Sequence, residues 1–184
     1  GYTIDEIAVL LAKNGVCSED DFYHAVRFGD YSDYDFVKAI PTKETDPQYA
    51  DRVYALEGYL FPDTYEFYTG SSGETVVRKF LDNFKTRINS TYRARIADKG
   101  YTIDQVVILA SIVQGESARG EWSKVARVLK NRLDNPQKFP KLECDATQSY
   151  VKYLRRDKLD TPVNEAAYDT YVRKGLPVGP ICNP

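Results

Sequence analysis

The sequence predicts an α+β chain that is predominantly helical, with short strands confined to residues 56–70 and 140–184. Five segments place apolar residues three and four apart, and three of them open on Ser or Thr followed three residues later by Glu, Gln or Asp. Two other stretches mix aromatics with Pro, Gly and Asp and lose that period, which suits short extended segments and turns. With 184 residues, 42% hydrophobic and 28% charged, the chain has material for one core of ordinary size.

The first element is "GYTIDEIAVLLAKNG". Thr3 and Glu6 form a capping box, Ile4, Ile7, Ala8 and Leu11 share a face, and Asn14-Gly15 ends the helix. Ser18 with Asp21 starts a second, with Phe22, Ala25 and Val26 inward. "GDYSDYDF" and "PTKETDPQ" then read as turns. "LEGYLFPDTYEFYTG", residues 56–70, reads as extended pieces around a Pro-Asp turn. From about Glu74 to Ala97 one long helix is expected, carrying Val77, Phe80, Leu81, Phe84 and Ile88 and closing at Gly100. Thr102 and Gln105 cap the next. The shared "GYTID" at 1 and 100 reflects common helix-start chemistry, since five residues are too few for a repeat. Residues 121–133 form a helix with Trp122, Val125, Ala126, Leu129 and Leu133 on one side. Beyond Asn135, loops, short strands and one short helix are expected.

Composition excludes several classes of function. The net charge of −2, with no Lys/Arg-rich track, argues against nucleic acid. Cys17, Cys144 and Cys182 are scattered and form no C-x-x-C pair, which argues against a disulfide framework or a zinc site. His24, the single histidine, lies in an ordinary amphipathic stretch, so Ser-His and Cys-His catalysis lack a base. No run of 18 apolar residues and no signal peptide is present. The first residue is Gly and the sequence contains no Met, which suggests a piece of a longer or processed chain. The 15 tyrosines offer flat apolar faces with a hydroxyl, a combination that both sugar sites and cores use.

One acid stands out. In the helix opened by Thr102, the spacing of Ile103, Val106, Ala110 and Val113 extends by one turn to Glu116, placing a carboxyl at the rim of the core. A carboxyl in partly apolar surroundings favours its protonated form and can serve as a general acid, as cleavage of a glycosidic bond requires. Periodicity alone equally accommodates an exposed, idle Glu. Gly115 permits close approach of another backbone or a ligand, and Ser117 could orient the acid through a hydrogen bond.

The blocks "LEGYLFPDTYEF", "ILASIVQGES", "KVARVLKNRL", "LECDATQSYV" and "AYDTYVRKGLPVGPICNP" occur in this order and span nearly the whole chain. Together they resemble the bacterial endolytic murein transglycosylases, the YceG-like or MltG-type family. The resemblance implies a lysozyme-like helical core that cleaves peptidoglycan glycan strands between MurNAc and GlcNAc, leaving 1,6-anhydro-MurNAc ends without a metal or cofactor. The family's catalytic acid falls on Glu116, while Gln114, where many members carry Glu, is expected to point elsewhere and be dispensable.

Residues implied on the substrate side are Ser117, Glu57, Tyr59, Phe61, Asp63, Asn131, Arg132, Asp145, Tyr150 and Tyr171. A turn cap is the alternative for Asp63, a clamp on Arg132 for Asp145, and core packing for the aromatics. Implied partners are glycan strands, together with cell-wall synthases or division proteins. Family members carry a cytoplasmic tail, a membrane-spanning helix and a small LysM-like module, and they continue past the last block. The resemblance thus implies an N-terminal helical segment over 1–50 and a catalytic core over 51–184, truncated at its C-terminus. It also implies a place on the extracytoplasmic face of the inner membrane. Two other functions remain open: a hydrolase using Asp145 or Asp63 with water, and a non-catalytic peptidoglycan-binding or divisome scaffold module.

Overall fold

Three capping signatures start three helices. In the computed structural model, which describes residues 1–117 and 120–184, α1 (Ile4–Lys13) opens with the full box: Thr3 Oγ1 accepts the Glu6 N–H and Glu6 Oε2 accepts the Thr3 N–H. Ser18 caps α2 (Glu19–Phe28), and a short α3 (Asp35–Lys38) follows within the expected turns. The single long helix expected from Glu74 to Ala97 is two, α4 (Gly73–Arg87) and α5 (Ser90–Asp98). Ile88 leaves helical geometry, and Asn89 Oδ1 takes the N–H groups of Thr91 and Tyr92, restarting the chain as a new helix. The box of Thr102 and Gln105 opens α6 (Ile103–Glu116), and α7 (Trp122–Asp134) and α8 (Asp145–Tyr153) complete the set.

The expected strands are absent among the described residues, whose regular structure is helices joined by turns and three short 3-10 segments. In residues 56–70, the Tyr59 N–H bonds the Leu56 carbonyl in a tight turn, with Gly58 at φ 88°. A Cβ on Gly58 would lie 2.6 Å from Val107 and 2.7 Å from Pro180, which leaves room for glycine alone. Much of the apolar content that suggested strands serves burial: Leu56, Tyr59 and Leu60 are core residues, and Phe61, Tyr65 and Phe67 pack against the core partly buried. Residues 140–184 hold α8 and then turns whose Tyr168, Val178 and Ile181 are buried.

Helix α2 packs on α1 and α4, and α6 lies against α5, α7 and α8. Ile4, Phe22 and Phe36 from residues 1–50 join the same buried cluster as Tyr59, Phe84, Ile108 and Tyr150, so both parts share one core. The rings of Phe36, Tyr59 and Phe84 stand 4.8 to 6.1 Å apart at its centre.

Buried acids brace this core. Asp5 accepts bonds from the hydroxyls of Tyr23 and Tyr54 and from the Arg155 N–H. Asp104 takes the Arg52 guanidinium at 2.9 Å and the Tyr59 hydroxyl at 2.7 Å. Three donors on Asp5 and an opposite charge on Asp104 offset the cost of burying each carboxyl. Among the described residues no helix is long and apolar enough to cross a membrane.

Candidate active site

Helix α6 is apolar around most of its circumference, so its buried face is broader than the sequence spacing alone marks out. The buried residues are Asp104, Val107, Ile108, Ser111, Ile112 and Val113, while Ile103, Val106 and Ala110 of the expected face are only half-buried. Glu116 follows Ile112 and Val113 on this face, and beside it Gly115 follows Ser111 and Ile112. A Cβ on Gly115 would sit 2.7 Å from Ala146 Cβ, so its absence lets the end of α6 close against the start of α8.

That approach fixes Glu116. Its Oε1 accepts the Ala146 N–H at 2.7 Å, one of the orphan donors in the first turn of α8. Oε2 has no hydrogen-bond partner among the described residues. The carboxylate is exposed, so it is set by this bond and by its place in a groove rather than by the apolar enclosure expected from the sequence.

The groove has a volume of about 690 Å³ and lies between the end of α6, one face of α8 and the first half of α1. Helix α6 supplies Gln114, Gly115 and Glu116, α8 supplies Asp145, Ala146, Ser149, Tyr150 and Tyr153, and α1 supplies Glu6 and Val9. Gln114 thus lines the same groove as Glu116 and does not point elsewhere. Asp145 stands one residue before the amide that holds Glu116, and the Tyr171 hydroxyl donates to its Oδ1 at 2.7 Å. The hydrogen bond to Asp145 pushes the Tyr171 phenol up to about 12, so Tyr171 keeps its proton and acts as a donor near neutral pH.

Other residues implied on the substrate side lie apart. Glu57 and Tyr59 are 1% and 0% exposed and face the core, beyond the reach of a sugar. Burial pushes the Glu57 carboxyl up to about 8. Its oxygens meet the Ile4 N–H, the Asn183 Nδ2 and the Tyr150 hydroxyl. Tyr150 does line the groove, but only as its floor, packed on Tyr168 at 5.1 Å.

Phe61 and Asp63 sit beside α4. Asp63 caps its own turn through the Thr64 N–H and takes Asn83 and Arg87, whose guanidinium covers Phe61. Those donors hold the Asp63 carboxyl below the usual carboxylate range. Arg132 clamps the carbonyls of Lys141 and Leu142 and the carboxylate of Glu143, so its acidic partner is Glu143 and not Asp145. Asn131 is exposed on α7, where its carbonyl accepts a bond from Asn135. Ser117 is the C-cap of α6, with its Oγ buried and without a partner among the described residues.

Sequence reading passes over Ser149 and Tyr153, since it expects one short helix beyond Asn135 without placing it. The signal is nevertheless present: Asp145, Ser149 and Tyr153 are four apart and all exposed, which puts them on one face of one helix. Among the described residues no group of three or more His, Cys, Asp or Glu side chains is arranged to hold a metal ion. Cys17, Cys144 and Cys182 are free and buried.

Comparison with known proteins bears on this geometry. The family model described as "YceG-like family" matches residues 1–184. The endolytic murein transglycosylase of Bacillus subtilis (strain 168) is 30% identical over 133 residues, covering 70% of this chain and 36% of that protein. The endolytic murein transglycosylase of Streptococcus pneumoniae serotype 2 is 26% identical over 206 residues, covering 100% of this chain and 35% of that protein. The chain therefore spans about a third of the length of these curated relatives. A crystal structure of a YceG-like protein from Listeria monocytogenes superposes with a TM-score of 0.72 at 26% identity, over 99% of this chain and 60% of that one. With a family match from the first residue to the last and a solved member that shares its fold, the chain belongs to the YceG-like family.

Proposed function

We infer that the chain carries out lytic cleavage of peptidoglycan glycan strands between MurNAc and GlcNAc, a reading supported by relatives named endolytic murein transglycosylase. The observation that carries this reading is Glu116, held by the Ala146 N–H in a groove that it shares with Asp145. A lytic reaction needs one acid that gives and then recovers a proton. Glu116 donates its proton to the bridging oxygen, the bond from MurNAc C1 to that oxygen breaks, and GlcNAc leaves with a hydroxyl. The oxocarbenium-like C1 is then attacked by the MurNAc 6-hydroxyl oxygen, whose proton returns to Glu116. No water is consumed and a 1,6-anhydro ring results.

The Asp145 carboxylate, oriented by Tyr171, supplies negative charge on the same side of the groove and stabilises the developing cation. In this reading the helical core, with its acid at a helix end, is lysozyme-like, and its substrate places the chain on the extracytoplasmic face of the plasma membrane.

The test is mass spectrometry of muropeptides after digestion by the wild type and by Glu116→Gln. The wild type is expected to yield anhydro-MurNAc ends, and Glu116→Gln to lose at least about a hundredfold in rate. Reducing MurNAc ends in their place would mean hydrolysis, with Asp145 activating water. Undiminished cleavage by Glu116→Gln would overturn the assignment of the acid.

A further inference from the structure

We propose that the groove holds a second sugar-binding position at Tyr153, one helix length away from Glu116, and that α8 acts as the ruler between them. This inference rests on the glycan-cleaving reading above. Asp145, Ser149 and Tyr153 recur every four residues on α8, and all three are exposed and line the same groove as Glu116. At 1.5 Å per residue, Tyr153 lies about 12 Å along the helix from Asp145, with Ser149 halfway. The face of α8 turned to the groove thus reads carboxylate, hydroxyl, aromatic. The first stands beside the reacting centre, the second is a hydrogen-bonding group at mid-groove, and the third is a flat apolar face at the far end.

Tyr153 is 73% exposed, a large share for an aromatic in a protein that buries Tyr54, Tyr59 and Tyr168 completely enough to leave 1% or less in solvent. Its ring meets the Lys152 ammonium at 5.4 Å, and its hydroxyl bonds no described residue. From α1, Val9, 44% exposed, lines the same groove as a second apolar surface. A groove lined by an exposed ring and an exposed aliphatic side chain suits the apolar faces of a pyranose, while the hydroxyls of the sugar remain in water or reach Ser149. Arg155, at the same end, is already committed to Asp157 and Glu19, so the recognition there is of a ring rather than of an anion.

Continuity with the Glu116 end commits the occupant to the same glycan strand. A strand long enough to reach from Glu116 to Tyr153 gains the second contact, and a shorter one does not.

Calorimetry in the Glu116→Gln background, which keeps ligands intact, tests this with the peptide-free disaccharide and tetrasaccharide of alternating GlcNAc and MurNAc. Tyr153→Ala is expected to weaken tetrasaccharide binding about tenfold and leave the disaccharide unchanged, the scale of one lost aromatic contact. Tyr153→Trp should restore the tetrasaccharide affinity. Tyr153 contributes almost nothing to the core, so the Ala variant folds, and an unchanged thermal transition checks this. Equal tetrasaccharide affinities with and without Tyr153 would overturn the second position while leaving the role of Glu116 intact. Absence of any glycan binding in either background would overturn both readings.

Discussion

Glu57 shows how a single side chain ties stability to pH. Its carboxyl is buried among the Ile4 N–H, Asn183 Nδ2 and the Tyr150 hydroxyl, and burial pushes it up to about 8. The folded value exceeds the unfolded one, about 4.3, so in this interval the folded chain holds a proton that the unfolded chain releases. The stability contributed by Glu57 is complete at the acid end and is lost as the pH rises through about 8, with a slope of at most about 1.4 kcal/mol per pH unit. Glu57→Gln stays neutral and offers an oxygen to Ile4 and Asn183. Urea unfolding from about pH 5 to pH 8 is therefore expected to give a flatter stability profile for the variant than for the wild type; parallel profiles would show that Glu57 is ionised throughout. None of this was legible in "LEGYLF". A lone Glu beside Gly reads as exposed, and the groups that enclose it come from residues 4, 150 and 183, distances over which periodicity carries no information.

Among the elements, the contact of α6 with α8 decides the site. Ala at an exposed helical Gly normally stabilises by roughly 0.5–1 kcal/mol. At Gly115 the new Cβ would lie 2.7 Å from Ala146, and overpacking at such a distance costs roughly 1–3 kcal/mol, so the sign reverses. Gly115→Ala is expected to lower the melting temperature modestly and to cut glycan cleavage by more than about tenfold, because the start of α8 moves and its amide releases Glu116. An amide NMR spectrum should show the Ala146 resonance shifting more than those of distant helices. A variant with full activity would mean that this bond is incidental.

Capping chemistry made the starts of α1, α2 and α6 legible in advance, since a side-chain oxygen three residues before its donor is a local signal. Helix α8 was legible only as one short helix somewhere beyond Asn135. Its N-cap, Cys144, makes no side-chain capping bond, and its inward residues Thr147, Tyr150 and Val151 sit in a tyrosine-rich context that reads equally well as strand. The family motif located Glu116, but α8 is what gives it a groove.

For the molecule as a whole, the question is what holds the two chain ends against the middle. Asn183 does much of this through its backbone and side chain. Its N–H and Nδ2 both donate to the Tyr2 carbonyl, Nδ2 also reaches Glu57, and Oδ1 accepts the Leu60 N–H at 2.8 Å. Two residues earlier, the Ile181 N–H bonds Ser111 Oγ in the middle of α6. One short segment therefore links the start of α1, the turn at Gly58 and the helix that carries Glu116. Asn183→Ala would leave the Leu60 N–H and one oxygen of Glu57 buried without that partner, and each such loss costs about 1–3 kcal/mol. A drop of about 3 kcal/mol in unfolding free energy is expected from urea denaturation, with one cooperative transition retained because both halves share a core. Asn183→Asp should be no better, since it removes the donor to Glu57 and places a second carboxyl beside it. If Asn183→Ala instead unfolded in two steps, the N-terminal helices would be a separately stable unit and the shared core would be weaker than its packing implies.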